Sequence, residues 1–287
     1  MGVEERSREP INQAAMKEVN VLSFGAGVQS TTLALMSQNQ AHGLPMFDFA
    51  VFADTGAEPD NVYQCLERIR ESVDYPIITH MQKDGLLNGI LENEKSKHRF
   101  GCIPAFVANQ NGEVGMLRRQ CTKEYKLDAI VAAIRKQLGY QPRQKVTHKV
   151  NMFIGISRDE MQRMNTPLTP WMTNNYPLVD MAWRRSHCVE YLKDNWPHPV
   201  GKSACTFCPY HDNKTWREMK RNDPASWAQA VDVDEKIRGG FRGSLAPLYL
   251  HRSMQPLKNV DFDAILARND DQREFGFLDE CDGICGL

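Results

Sequence analysis

The sequence predicts an α/β fold, a doubly wound parallel sheet followed by a C-terminal, mainly helical lobe that contains cysteines. Three observations predict it. Through residue 156, short apolar runs alternate with stretches of helical periodicity, the pattern that lays helices on both faces of a parallel sheet. Three of those runs end in turns rich in glycine or polar residues, GAGVQS (25–30), DTG (54–56) and SRDE (157–160). Such sheets bind their ligands at that edge, beyond the carboxyl ends of the strands. In the last third, helical stretches and a CTFC cysteine pair replace the strands. The expected organisation is a flexible arm over 1–18, a sheet domain over 19–180 and the helical lobe over 181–287.

The elements follow in order. VNVLSF (19–24) is the first strand, and TTLALMSQ (31–38) continues its turn into a helix. MFDFAVFA (46–53) is the second strand. After DTGAEPD comes a helix with Val62, Cys65, Leu66 and Ile69 on one face, its first turn suited by Pro59. YPIITH (75–80) is a third strand. Residues 84–120 are irregular and long for a loop, which suggests a functional insertion or lid. A helix over 123–138 then buries Leu127, Ile130, Val131 and Ile134, and KVNMFIGI (149–156) is the fourth strand. Further helices are expected over 183–196, 215–221 and 225–238.

Composition narrows the function. With 287 residues, 41% of them apolar, the chain can bury a core. No apolar run approaches membrane-spanning length, and the polar N-terminus does not read as a secretory signal, so a cytoplasmic protein is expected. A net charge of −1 disfavours a stable non-specific nucleic-acid binder. The charge is uneven, however. Lys95 to Lys149 hold twelve Lys/Arg against three Asp/Glu, and 260–287 hold two Arg against eight acids. The basic stretch, with Lys95, Lys97, His98, Arg99, Arg118, Arg119, Arg143 and Lys145, is either a solvated face or a path for a polyanion. Trp171 and Tyr176 are candidates to stack on a base, or plain packing residues.

Ser23-Phe-Gly25-Ala-Gly27-Val-Gln29-Ser30 brings backbone N–H groups, hydroxyls and a helix N-terminus together, which suits a phosphate. It lacks the lysine of a Walker loop, and an ordinary tight turn is the plain alternative. This segment resembles the PP-loop of the adenine-nucleotide alpha-hydrolase-like superfamily, usually S-G-G-x-D-S. Further segments are similar to phosphoadenosine phosphosulfate (PAPS) reductases: Asp54-Thr55-Gly56 with Glu58-Pro59 and Tyr63; Arg119-Gln-Cys121-Thr-Lys123; Gly155-Ile-Ser-Arg158-Asp159-Glu160 with Arg163; and Pro177-Leu178-Val-Asp180 ahead of Cys205-Thr-Phe-Cys208-Pro209. The matches run in order over about 19–210. Two departures stand out. Gln29 replaces the usual Asp, and Glu280-Cys281-Asp282-Gly283-Ile-Cys285 replaces the reductases' E-C-G-x-H ending.

The resemblance implies a Rossmann-like PP-loop domain and attack on the α-phosphate of ATP with release of pyrophosphate, near the ATP-pyrophosphatase component of DNA phosphorothioation systems and the tRNA-thiolating enzymes. Ser23, Gly25, Gly27, Gln29, Ser30 and Thr31 would hold the polyphosphate with Mg²⁺. Asp54 and Thr55 would meet the nucleotide or its metal, with a helix-capping turn as the plain alternative. Arg163 would bind phosphate and Arg158 would act in catalysis, unless each pairs with Asp159 or Glu160.

Eight cysteines without an export signal argue for metal ligation or thiol chemistry rather than disulfides. The CTFC spacing lets Cys205 and Cys208 reach one metal. Together with Cys121 and Cys285 they are the expected ligands of a 4Fe-4S cluster, as in the related reductases; zinc or a metal-free redox pair are the alternatives. Cys281 is then the sulfur carrier or nucleophile, and its role is exchangeable with that of Cys285. The resulting expectation is sulfur insertion into a transiently bound nucleic acid, with a cysteine desulfurase as donor and room for a homo-oligomer. A sulfonucleotide reductase or an inactive nucleotide-binding partner are the alternatives.

Overall fold

The computed structural model describes residues 17–82, 85–90, 103–108, 114–167, 169–240 and 246–268. Five strands form one all-parallel sheet: β1 (Glu18–Ser23), β2 (Phe49–Asp54), β3 (Ile77–Met81), β6 (Lys149–Ile154) and β7 (Met172–Asn175), in the order β3-β2-β1-β6-β7. Between β3 and β6, β4 (Phe106–Ala108) and β5 (Val114–Met116) pair antiparallel. The chain winds outward from β1 through β3, then returns to the other side of β1 as β6. The crevice between β1 and β6 is therefore the switch point at which such sheets take ligands.

Alternation along the strands builds two cores. Leu22, Ala50, Phe52 and Phe153 face α1 (Val28–Gln38) and α2 (Asp60–Arg70). Val19, Val21, Phe49, Val51, Ala53, Val150, Met152 and Ile154 face α3 (Asp128–Gln137). The side-chain period of two makes both faces apolar, as a doubly covered sheet requires. The helix α2 needs only one apolar stripe, and Val62, Cys65, Leu66 and Ile69 supply it.

The short helix α4 (Pro177–Asp180) follows β7. After it, α5 (Arg185–Asn195) buries Cys188 and Leu192 in the α1/α2 core. This helix, which the sequence assigned to the second lobe, therefore packs on the sheet domain. A third core joins α6 (Asn213–Asn222), α7 (Pro224–Ile237) and α8 (Phe262–Ala267) around fully buried Trp216, together with Leu86, Ile90, Ile103 and Tyr125. Asp234 of α7 fastens this lobe. Its buried carboxylate accepts from the N–H groups of Leu250 (2.8 Å) and Leu257 (2.9 Å) and from Arg238. The stretch expected to be irregular contributes β4 and β5, and a bridge from Phe106 to Tyr249 ties β4 to the lobe.

Trp171 and Tyr176 flank β7 and are not a free loop. Trp171 accepts from Val150 N (2.8 Å), and the Tyr176 hydroxyl donates to Asn165 O (2.9 Å). Both pack at the sheet edge rather than standing free to stack on a base. Among the described residues no helix is long and apolar enough to cross a membrane.

Buried His251 donates from Nε2 to Asn213 Oδ1 (2.9 Å), and its Nδ1 accepts from Ser253 N (3.2 Å). That is a satisfied neutral ring. Burial, reinforced by the Arg252 charge, lowers its pKa from 6.5 to about 4. Between those values the unfolded chain takes up the proton and the folded chain does not, so stability falls as pH falls. Urea melts should lose up to about 1.4 kcal/mol per pH unit from this one group. His251→Gln should show a shallower slope than wild type from pH 6.5 to 4.5; an unchanged slope would refute the assignment.

Candidate functional site

The turn after β1 is built to hold an oxygen. Ala26 is forced into the left-handed region (φ 56°) between two glycines, a conformation that L-residues adopt at a cost. It turns the N–H groups of Gly25 and Gly27 toward one point. Ser30 Oγ occupies that point, accepting from Gly25 N (3.3 Å) and Gly27 N (3.2 Å). Two backbone donors converging on one oxygen at the start of α1 form an anion nest at a positive helix end. Ser23 ends β1 and is buried beside the turn.

The positions on either side of Ser30 in α1 face inward. Thr31 is fully buried and its hydroxyl lies 3.8 Å from Cys65 Sγ. Gln29 is also fully buried. Its Nε2 donates to Glu160 Oε2 (3.1 Å) and reaches Ser157 Oγ (3.5 Å), while its Oε1 has no partner. Arg163 pairs with Glu160 at 2.6 Å, both side chains nearly buried. The loop after β6 is thus latched onto the start of α1. Gly155 makes the approach possible: a Cβ there would stand 2.8 Å from Ser30 N. Arg158 is exposed, and its N–H donates to Trp183 O (2.7 Å).

Asp54, at the end of β2, accepts on Oδ1 from Gly56 N (2.8 Å) and the Tyr63 hydroxyl (2.8 Å). That is the turn-closing arrangement, and Gly56 has the positive φ (69°) the turn needs. Burial, and then the bond to Asp54, push the Tyr63 hydroxyl pKa upward. Thr55 faces a different centre. Its hydroxyl donates to Glu58 Oε1 (3.0 Å) and lies 3.3 Å from Cys205 Sγ.

Around Glu58 the chain gathers its thiols. Cys205 Sγ donates to Glu58 Oε1 (3.7 Å), and Lys126 Nζ stands 3.6 Å from the same oxygen, both charged side chains buried. Lys126 comes from a wide turn of π-helix, Thr122–Leu127, that directly follows Cys121; such turns often mark functional sites. Burial alone would lower the Lys126 pKa, but the attraction of Glu58, Cys205 and Cys121 outweighs it and the net direction is up. Burial and the nearby Glu58 charge push the Cys205 thiol well up. Burial also raises Cys208, against the opposing pull of Arg119. The Arg119 guanidinium stacks over Tyr210 at 4.5 Å.

Cys208 thus lies within electrostatic reach of Cys121, and Cys205 of Cys208, beside two cations, Lys126 and Arg119. In kind, this donor set fits a thiolate-bound centre, because the cations offset thiolate charge. Among the described residues, no three His, Cys, Asp or Glu side chains stand close enough together to hold a metal ion. Cys281, Cys285 and Cys102 lie outside the described residues, as do Lys95, Lys97, His98 and Arg99.

Ser203 joins the two centres: its hydroxyl donates to Gly25 O, two residues before Cys205. Ser23, Phe24, Gly25, Glu58, Lys126 and Ser203 line a common crevice. The described members of the basic stretch do not form one surface. Arg118 and Arg119 lie at the carboxyl end of the sheet, whereas Arg143 and Lys145 precede β6 at its amino end. Sequence reasoning gave no role to Ser203, Glu58 or Lys126, and named Glu160 only as an alternative ion-pair partner for Arg158 and Arg163, the pairing the structure shows for Arg163. Lys126 left a signal, since it stands four residues before Ile130 on the buried side of the helix.

No protein-family model and no curated protein matches the chain. Among solved structures, the chain is similar to the phosphoadenylyl-sulfate (PAPS) reductase from Candida auris in a phosphate complex. The identity is 11% and the TM-score 0.40, over 63% of this chain and 74% of that one.

Proposed function

We propose that the chain is an ATP pyrophosphatase of sulfur-insertion type. An acceptor oxygen attacks the α-phosphorus of ATP, the bond from that phosphorus to the bridging oxygen breaks, and pyrophosphate leaves. Gly25, Gly27 and Ser30 hold the departing phosphates, with Mg²⁺ offsetting their charge. A 4Fe-4S cluster on Cys121, Cys205, Cys208 and Cys285 would supply sulfur or electron chemistry, with Cys281 as carrier. A cysteine desulfurase supplies the sulfur and a nucleic acid the acceptor oxygen.

The observation that carries this reading is the bond from Ser203 to Gly25. It couples an anion nest to a thiol-rich centre across one crevice, as a reaction joining polyphosphate cleavage to sulfur transfer needs. Turnover tests it: pyrophosphate release from ATP supports the reading, and sulfite release from PAPS replaces it with sulfonucleotide reduction. Ser30→Ala is expected to lower pyrophosphate release by about 10²-fold or more, the usual loss when one charge-stabilising donor goes. A variant that keeps wild-type turnover would remove Ser30 from the site. Iron and acid-labile sulfide in anaerobically purified protein test the cluster.

A further inference from the structure

Among the described residues, three arginines stack on tyrosine rings. Arg238 lies over Tyr249 at 3.8 Å and pairs with buried Asp234. Arg135 lies over Tyr140 at 5.9 Å and donates from Nη2 to Gln141 O (2.7 Å) and Gln144 O (2.8 Å). Arg119 lies over Tyr210 at 4.5 Å, yet no carboxylate or carbonyl among the described residues accepts from it. Its Nε is buried without a partner, while the residue as a whole is half-buried and reaches solvent. The ring thus fixes a guanidinium to which the described chain supplies no acceptor. Charged donors without an acceptor are costly, so the arrangement points to an acceptor from outside the chain.

The surroundings define that acceptor. The Tyr210 N–H donates to the Cys208 thiol, so the ring that carries Arg119 belongs to the cysteine loop itself. Arg119 is within electrostatic reach of Cys208 and of Lys126. Lys126 has the Glu58 carboxylate at 3.6 Å as a counter-charge, whereas Arg119 has none among the described residues. Exposed Arg118, the preceding residue, has no acid partner there either. The local charge is therefore positive, and only an anion offsets it. A planar fork steadied on an aromatic ring offers parallel N–H groups that phosphate and sulfate oxygens match bidentately. A nucleic acid and a sulfonucleotide both present such oxygens.

We propose that Arg119, steadied by Tyr210, is an oxyanion-binding residue that grips a phosphate or sulfate ester of the substrate presented to the thiols. The ester belongs to a nucleic-acid strand or to a small nucleotide, and the chemistry at the guanidinium is the same for both. This rests on the sulfur-transfer reading above and adds the group by which the acceptor is held beside Cys208. It is separate from the seat at Gly25 and Gly27, which lies in the turn after β1 and uses backbone N–H groups.

Two probes test it on the anaerobically purified full chain. One is a labelled single-stranded oligonucleotide, read by fluorescence anisotropy across a salt series; the other is adenosine 3′,5′-bisphosphate, read by calorimetry. Arg119→Gln is expected to weaken at least one of them about tenfold, as loss of a charged hydrogen bond does. A response of the oligonucleotide identifies a strand as the source, and its slope of log K against log salt should fall by about 0.7, the share of one phosphate. A response of the bisphosphate identifies a small nucleotide. Arg119→Lys keeps the charge but loses the fork, so it is expected to keep the salt slope and only part of the affinity. Lys145→Gln, before β6 at the amino end of the sheet, is the control and should leave both probes unchanged. Wild-type binding of both probes by Arg119→Gln would overturn the proposal. So would equal losses in Arg119→Gln and Lys145→Gln, or a wild-type chain that binds neither probe. Should Arg119→Gln fail to fold, wild-type affinity in Arg119→Lys would overturn it instead. Pyrophosphate release from ATP by the wild-type chain is read separately, and its absence would overturn the sulfur-insertion reading while leaving the Arg119 result to stand or fall alone.

Discussion

Lys126→Met is expected to destabilise the fold by about 3–5 kcal/mol, because it strands the Glu58 carboxylate in a buried site. Glu58 and Lys126 stand 3.6 Å apart with side chains 2% and 6% exposed. Thr55 and Cys205 would be the remaining partners of Oε1, and neither carries a compensating charge. The effect should reverse in large part when Glu58→Gln is added, since removing both charges removes the stranded one. Urea denaturation of wild type, both single variants and the double variant completes the cycle. A Lys126→Met protein as stable as wild type, or a double variant no better than Lys126→Met, would show that the pair does not hold the two elements together.

Gly155→Ala is expected to cost about 1–3 kcal/mol, as overpacking does, and to suppress the chemistry proposed for the turn. The added Cβ would meet Ser30 N at 2.8 Å, with Gln29 C and Ser30 Cα at 3.1 Å. All three are backbone atoms of the first turn of α1, so no flexible side chain can yield. The helix start must shift instead, and misplacement on the scale of 1 Å costs about 10²-fold in rate. Gly239→Ala is the control, because nothing lies within 4 Å of its Cβ position. Thermal melts and pyrophosphate release, measured on both variants, should separate them clearly. If Gly155→Ala is as stable and active as Gly239→Ala, the close approach of the β6 loop is not what shapes the turn.

Four of the five sheet strands were legible in the sequence: β1, β2 and β6 are short apolar runs buried largely on both faces, and β3, an edge strand, still opens on the apolar pair Ile77-Ile78. The fifth, Met172–Asn175, was not: MTNN is a polar edge strand that shows its period on one side only. The three-residue strands β4 and β5 are too short to carry any pattern. At the site, the turn after β1 could be read because glycines between a strand and a helix have a local meaning. The pairing of Glu58 with Lys126 could not. One follows β2 and the other precedes α3, and only the sheet topology brings them together. Arg163 shows the same limit. The sequence offered phosphate or a nearby acid as its partner, and the structure pairs it with Glu160 beneath Gln29.

The serine hydroxyl seated between Gly25 N and Gly27 N has a consequence for affinity. Any incoming anion must displace a tenant tethered to the same chain, which never diffuses away. A lone orthophosphate, offering one oxygen to this seat, competes poorly. A chelating chain of phosphates, the ligand proposed above, would compete better. On the nucleotide reading proposed above, the loop would then favour visitors of high valency over small single anions.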